Sequence, residues 1–154
     1  MKDKLKVLSR LAAEFNKENI VWAVGASGLL YFKGYVESFN DLDLMVTVDD
    51  AEKMETILNS FGSLQPSEKG NFETRHFRKF VVDGVEVDMI GGFAIVSSGR
   101  VHECDLKSEQ ISEWITVNGQ EIPLHSVALW RTYYALMGRD SKVAIIDNQK
   151  IQDF

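Results

Sequence analysis

The chain has 154 residues, enough for one domain with a sizeable core, and its 45% apolar and 26% charged content is that of an ordinary globule. A formal charge of −6 argues against a protein that grips polynucleotide through a basic field. No apolar run approaches the ~18 residues of a membrane helix, and the N-terminal MKDKLKVLSRLAAEF is a charged amphipathic segment rather than a signal peptide. The single cysteine, Cys104, excludes an intramolecular disulfide and fits a reducing compartment, so a cytoplasmic location with no membrane partner is expected.

In chain order, residues 3–17 place Leu5, Leu8, Leu11, Ala12 and Phe15 at helical spacing. A strand follows at 20–24, then a helix from Ala26 to Lys33 closed by Gly34. Residues 42–48 read as a second strand, after which Asp49 caps a helix over 50–61, with Glu52 completing a box-like start. Residues 72–82 and 85–90 form a hairpin around Asp83-Gly84, and Asn118-Gly119 joins Trp114–Val117 to Gln120–Ile122 in another. Ser126 caps the helix VALWRTYYALMG, and a short helix ends the chain. The fold class is therefore α/β (α+β), a mixed β-sheet flanked by helices. It forms one domain over 1–154, with a core of about 1–123 and a C-terminal helical segment over 124–154.

The most informative stretch is residues 22–46, WAVGASGLLYFKGYVESFNDLDLMV. Strand alternation points Asp41 and Asp43 the same way while Leu42 and Leu44 point into the core. Two carboxylates on one rigid face suit Mg²⁺, a hard cation usually shared with substrate phosphates. The turn upstream offers backbone N–H groups at a helix N-terminus, where phosphates bind. The acidic pair alone is weak, because 23 acidic residues give roughly three acid-x-acid pairs by chance. The chain holds four: Asp41/Asp43, Asp50/Glu52, Glu86/Asp88 and Glu103/Asp105. The first stands apart by its setting, the apolar strand LDLMVTV after a Gly-Ala-Ser-Gly turn. Glu86/Asp88 shares that quality, with Val85, Val87 and Met89 on the opposite face, whereas Asp50/Glu52 reads as a helix start and Glu103/Asp105 as a loop. The sheet brings Asp88 beside Asp41 and Asp43, and like charges so placed repel unless a cation neutralises them.

Gly25-Ala26-Ser27, the Asp41-Leu42-Asp43 strand and a third aspartate, Asp88, together resemble the nucleotidyltransferase superfamily with the DNA polymerase β-like fold. The small bacterial antibiotic and minimal nucleotidyltransferases are the most similar types. The family pattern is a hydrophobic residue, Gly, Gly or Ser, about a dozen residues, then Asp-hydrophobic-Asp-hydrophobic. Val24-Gly25 matches its start; Ala26 stands in the second small position read strictly, or Ser27 with a slip of one, leaving 13 residues before Asp41. The resemblance covers residues 20–92 well and is looser from Leu124-His125-Ser126 through Arg139-Asp140-Ser141-Lys142 to Asp147. It implies that Asp41, Asp43 and Asp88 are the metal and catalytic carboxylates, holding Mg²⁺ (or Mn²⁺). It also implies that Gly25, Ala26, Ser27, Arg139 and Lys142 contact a nucleoside triphosphate, such as ATP, used as co-substrate.

Further residues admit two readings. Arg75, His76 and Arg78 lie on a basic strand that contacts phosphates or solvent. Arg131, Arg139 and Lys142 either reach the triphosphate or complement a helix dipole. Trp22, Trp130, Tyr133 and Tyr134 read as core or interface aromatics. His102, His125 and Cys104 show no zinc spacing. Three functions are carried forward: transfer to a small-molecule hydroxyl, with a homodimer partner completing the acceptor pocket; modification of a partner protein, as antitoxin-type members do; and binding of a nucleotide or protein without turnover.

Overall fold

The helical spacing at the N-terminus appears as α1 (Lys2–Lys17), which buries Val7, Leu8, Leu11, Ala12 and Phe15, in a computed structural model that describes residues 1–152. Strand β1 (Trp22–Gly25) runs into α2 (Ala26–Phe32), and Gly34, at φ +78°, turns the chain toward β2 (Leu42–Val46). A 3₁₀ turn over Val48–Asp50 leads into α3 (Ala51–Phe61). Then come β3 (Ser63–Gln65), β4 (His76–Val82), β5 (Val85–Gly91), β6 (Ala94–Ser97) and β7 (Arg100–Glu103). The chain continues through β8 (Glu113–Val117), β9 (Gln120–Leu124), α4 (Val127–Leu136) and α5 (Asp140–Gln152).

Seven strands form one mixed sheet in the order β3-β4-β5-β2-β1-β9-β8, and β6 and β7 form a separate antiparallel pair. Its centre is β2, antiparallel to β1 and parallel to β5. Leu42 and Leu44 are fully buried in register with Val87 and Met89, and α1 and α3 cover this apolar face. Arg78, in register with Met89, reaches Glu55 of α3 at 3.2 Å and so lies on the covered face too. Arg10 of α1 pairs with Asp83 at the hairpin turn. The opposite face carries the acidic residues, with α2 and α4 at its edge. Among the described residues no helix is long and apolar enough to cross a membrane.

Two local expectations change. Asp49 does not cap α3: it lies within the 3₁₀ turn, and the neighbouring Asp50 turns its carboxylate to the backbone N–H of Val21 (2.8 Å), locking α3 to the start of β1. The strand expected over 72–82 begins at His76. The preceding residues leave the main sheet, with Phe72 bridging to Ile95, because Gly92 (φ +64°) swings the chain out into the β6–β7 pair. That pair had no turn signal strong enough to be seen in the sequence. Ser126 caps α4 as expected, its hydroxyl accepting from the Leu129 N–H at 3.2 Å.

Candidate active site

Four cross-strand partners form a single row across the sheet. Gly25 pairs with Asp43, Asp43 with Asp88, and Asp88 with Lys79. Residues in register project to the same side, so both carboxylates and the ammonium share one face. Asp41 lies just ahead of β2, and Glu86 two residues before Asp88, on that same side. Lys79 Nζ lies 3.2 and 3.4 Å from the two oxygens of Asp88, which is only 7% exposed.

This crowding is written into the electrostatics. Asp43 is held well above the usual carboxylate range, first by burial and then by the charges of Asp88 and Asp41. Burial also raises Asp88, against the pull of Lys79. The exposed Glu86 is raised by a hydrogen bond to Asp41 and by its charge. Burial draws Lys79 down, but Asp88, Asp41 and Glu86 outweigh it and the ammonium holds its proton more tightly than usual. Ionised carboxylates crowded on one face repel, so Asp43 beside Asp88 and Asp41 near Glu86 favour a bound proton or a neutralising cation. Among the described residues no three acidic or histidine side chains converge as a ready-made metal cage.

Asp43, Asp88 and Lys79 of this row floor a cleft of about 780 Å³, whose walls include Ala26, Ser27, Phe39, Phe72, Arg75, Phe77, Tyr134, Arg139 and Lys142, while the expected Gly25 lies outside its lining. The expected residues Asp41, Asp43, Asp88, Ala26, Ser27, Arg139 and Lys142 are thus brought together. Arg139 lies over the Tyr134 ring at 5.8 Å. Of the other basic candidates, Arg75 and Arg78 are both in the lining of the cleft, although the Arg78 guanidinium pairs with Glu55 of α3, and His76 lies outside the lining. Arg131 makes a two-pronged bond to Asp147 (2.6 and 2.9 Å) that ties α4 to α5. Trp22, Trp130, Tyr133 and Tyr134 are all buried, in keeping with core aromatics.

Gly25 has a packing reason for its identity: a β-carbon there would come within 2.7 Å of the Trp130 ring. Ala26 follows in a left-handed conformation (φ +51°). The Trp130 indole N–H donates to His125 Nδ1 at 3.0 Å, and His125 Nε2 lies 3.0 Å from Gln110 Oε1. Gln110 Oε1 also accepts from the Lys107 N–H, so Nε2 carries the imidazole proton, and burial pulls His125 down to about 4. This buried support was invisible in the sequence, since nothing links positions 25, 110, 125 and 130 before the chain folds. Lys79 was also missed, although a signal existed: a two-residue turn at Asp83-Gly84 pairs Val82 with Val85 and, counting back, Lys79 with Asp88.

No protein-family model matches the chain, and no curated protein matches it in sequence. Solved structures do. A candidate nucleotidyltransferase from Thermotoga maritima superposes with a TM-score of 0.75 at 20% identity, covering 99% of this chain and 95% of that one. ANT(2'')-Ia in complex with adenylyl-2''-tobramycin gives 0.58 at 9% identity, with 99% of each chain covered. The solution structure of that antibiotic-resistance factor gives 0.57 at 9% identity, covering 98% of this chain and 93% of that one. The chain has the nucleotidyltransferase fold.

Proposed function

We propose that the protein transfers a nucleoside monophosphate from a nucleoside triphosphate to a hydroxyl of a small-molecule acceptor. The observation that carries this reading is the row Gly25–Asp43–Asp88–Lys79, flanked by Asp41 and set in a nucleotidyltransferase fold. The donor set is all oxygen, and its crowded carboxylates repel one another unless a cation neutralises them, which fits Mg²⁺ or Mn²⁺. Asp41, Asp43 and Asp88 would hold it. Such an ion orients the triphosphate and offsets charge developing on its oxygens.

The chain's own residues supply the remainder. The backbone of Ala26 and Ser27, just after Gly25, would border the phosphates, and Arg139 and Lys142 would approach them from the α4–α5 side of the cleft. The acceptor oxygen forms a bond to the α-phosphorus as the bond to the bridging oxygen breaks and pyrophosphate departs. Asp88, raised by burial, takes the acceptor's proton.

The test is thermal stability with each nucleoside triphosphate, with and without Mg²⁺, for the wild type and the double variant Asp41→Asn/Asp43→Asn, each measured against its own ligand-free baseline. Ligand at about 100 times its dissociation constant stabilises by about 2.7 kcal/mol, a shift of several degrees. A Mg²⁺-dependent shift absent from the double variant is the expected result, and the selective nucleotide then serves as donor in an acceptor screen. No shift with any triphosphate overturns the proposal in favour of a member of the fold without turnover.

A further inference from the structure

We propose that Lys79 is a working residue of this site: its ammonium serves as the resident counter-ion of the carboxylate face while no divalent cation is bound, and passes to the donor's phosphates once one is. The inference rests on the transfer reading above and adds to it a residue that neither the sequence motif nor the likeness to other folds assigns.

Four carboxylates, Asp41, Asp43, Glu86 and Asp88, share one side of β2 and β5, and Lys79 is the cation seated among them. Both oxygens of Asp88 are engaged by it at 3.2 and 3.4 Å. An ordinary surface ion pair would explain a contact between two solvated groups, and such pairs contribute little. This one differs, because the Asp88 side chain is 10% exposed and that of Lys79 37%, so the pair is anchored on a buried carboxylate in the lining of the cleft. The residue type matters as well. Lysine is a point charge on a flexible four-carbon stem with three donors, and it changes partner without losing a planar fork geometry. A divalent cation outcompetes one ammonium for paired carboxylates by charge alone. A displaced Lys79 then faces the same cleft as Arg75, Arg139 and Lys142, where a bound triphosphate would offer phosphate oxygens as new acceptors.

The consequence is a pair of opposite effects that a merely structural lysine would not produce. Mn²⁺ alone, titrated by its paramagnetic resonance signal, is expected to bind Lys79→Met at least about tenfold more tightly than the wild type, because a competing cation is gone. The triphosphate, titrated at saturating Mn²⁺, is expected to bind the same variant at least about tenfold more weakly, because a phosphate partner is gone. Lys79→Arg keeps the charge and the contact to Asp88, so it is expected to bind Mn²⁺ no more tightly than the wild type. It also guards against a folding defect in Lys79→Met. If Lys79→Met weakens both ligands or changes neither, or if Lys79→Arg gains Mn²⁺ affinity as Lys79→Met does, the inference falls while the transfer reading stands. If the wild type binds neither Mn²⁺ nor triphosphate, both fall together.

Discussion

Asp43 and Asp88 stand in register on adjacent parallel strands, so their carboxyl groups share one face of the sheet. Their raised affinity for protons means that ionising them costs the metal-free fold stability, a cost present at neutral pH and relieved as pH falls through the raised values. Replacing Asp43 with Asn removes one charge of the pair at almost constant shape. Asp43→Asn is expected to stabilise the chelator-treated protein by about 1 kcal/mol while abolishing nucleotidyl transfer. Urea unfolding with chelator present reads the first effect; a variant less stable than the wild type would sink the account of the pair.

The contact between Gly25 and Trp130 leaves no room for a side chain. The indole is itself pinned by His125, so it cannot swing away cheaply. Gly25→Ala is expected to cost about 1–3 kcal/mol, the usual range for overpacking. Trp130→Phe in the same chain is expected to return part of that loss, although the single change Trp130→Phe is itself destabilising. A double-mutant cycle measures the coupling, and strict additivity would show that the two residues do not compete for space.

Ala26 holds a left-handed backbone conformation at φ +51°. That conformation costs a residue with a β-carbon about 1–2 kcal/mol. Glycine relieves the strain but adds about 0.4–1 kcal/mol of unfolded-state freedom. Ala26→Gly is therefore expected to stabilise the fold by about 0.5–1 kcal/mol, the net of those two terms. A drop in melting temperature would show that the turn does not carry this strain.

His125 is 3% exposed, with each ring nitrogen already committed. A second proton would have to go on Nδ1, which faces the Trp130 N–H, so donor would meet donor. The ring titrates at about 4 when folded and at 6.5 in the open chain, so the unfolded state takes the proton first as pH falls. The stability this group contributes is complete above about 6.5 and is lost progressively between there and about 4, reaching about 3 kcal/mol at the lower end. The carboxylate pair works in the opposite sense, so the clean measurement is the difference between the wild type and His125→Gln across that window. A difference that does not change with pH would show that the imidazole titrates normally.

Much of this was legible before folding. Alternation placed Asp41, Asp43 and Asp88 on one face, because apolar neighbours such as Leu42, Leu44 and Val87 commit the other face to the core. The Asp-Gly and Asn-Gly turns located both large hairpins. The β6–β7 pair escaped because its turn, Ser98-Gly99, lies in a short segment with little apolar alternation. Asp49 was misjudged because local capping rules do not register the orphan N–H of Val21, which belongs to another element and claims Asp50. Trp130 beneath Gly25, and His125 behind it, depend on where α4 lands, and no short-range pattern carries that.

The Asp83-Gly84 turn measures as well as bends. The ladder runs without interruption from Val82↔Val85 out to His76↔Gly91, so once the turn is set the meeting of Lys79 with Asp88 depends on the number of residues between them. One residue added to or removed from either arm would slip that pairing, and alternation would send ammonium and carboxylate to opposite faces of the sheet. An insertion or deletion between 79 and 88 therefore removes the ion pair, whereas one outside that stretch leaves the pairing in place.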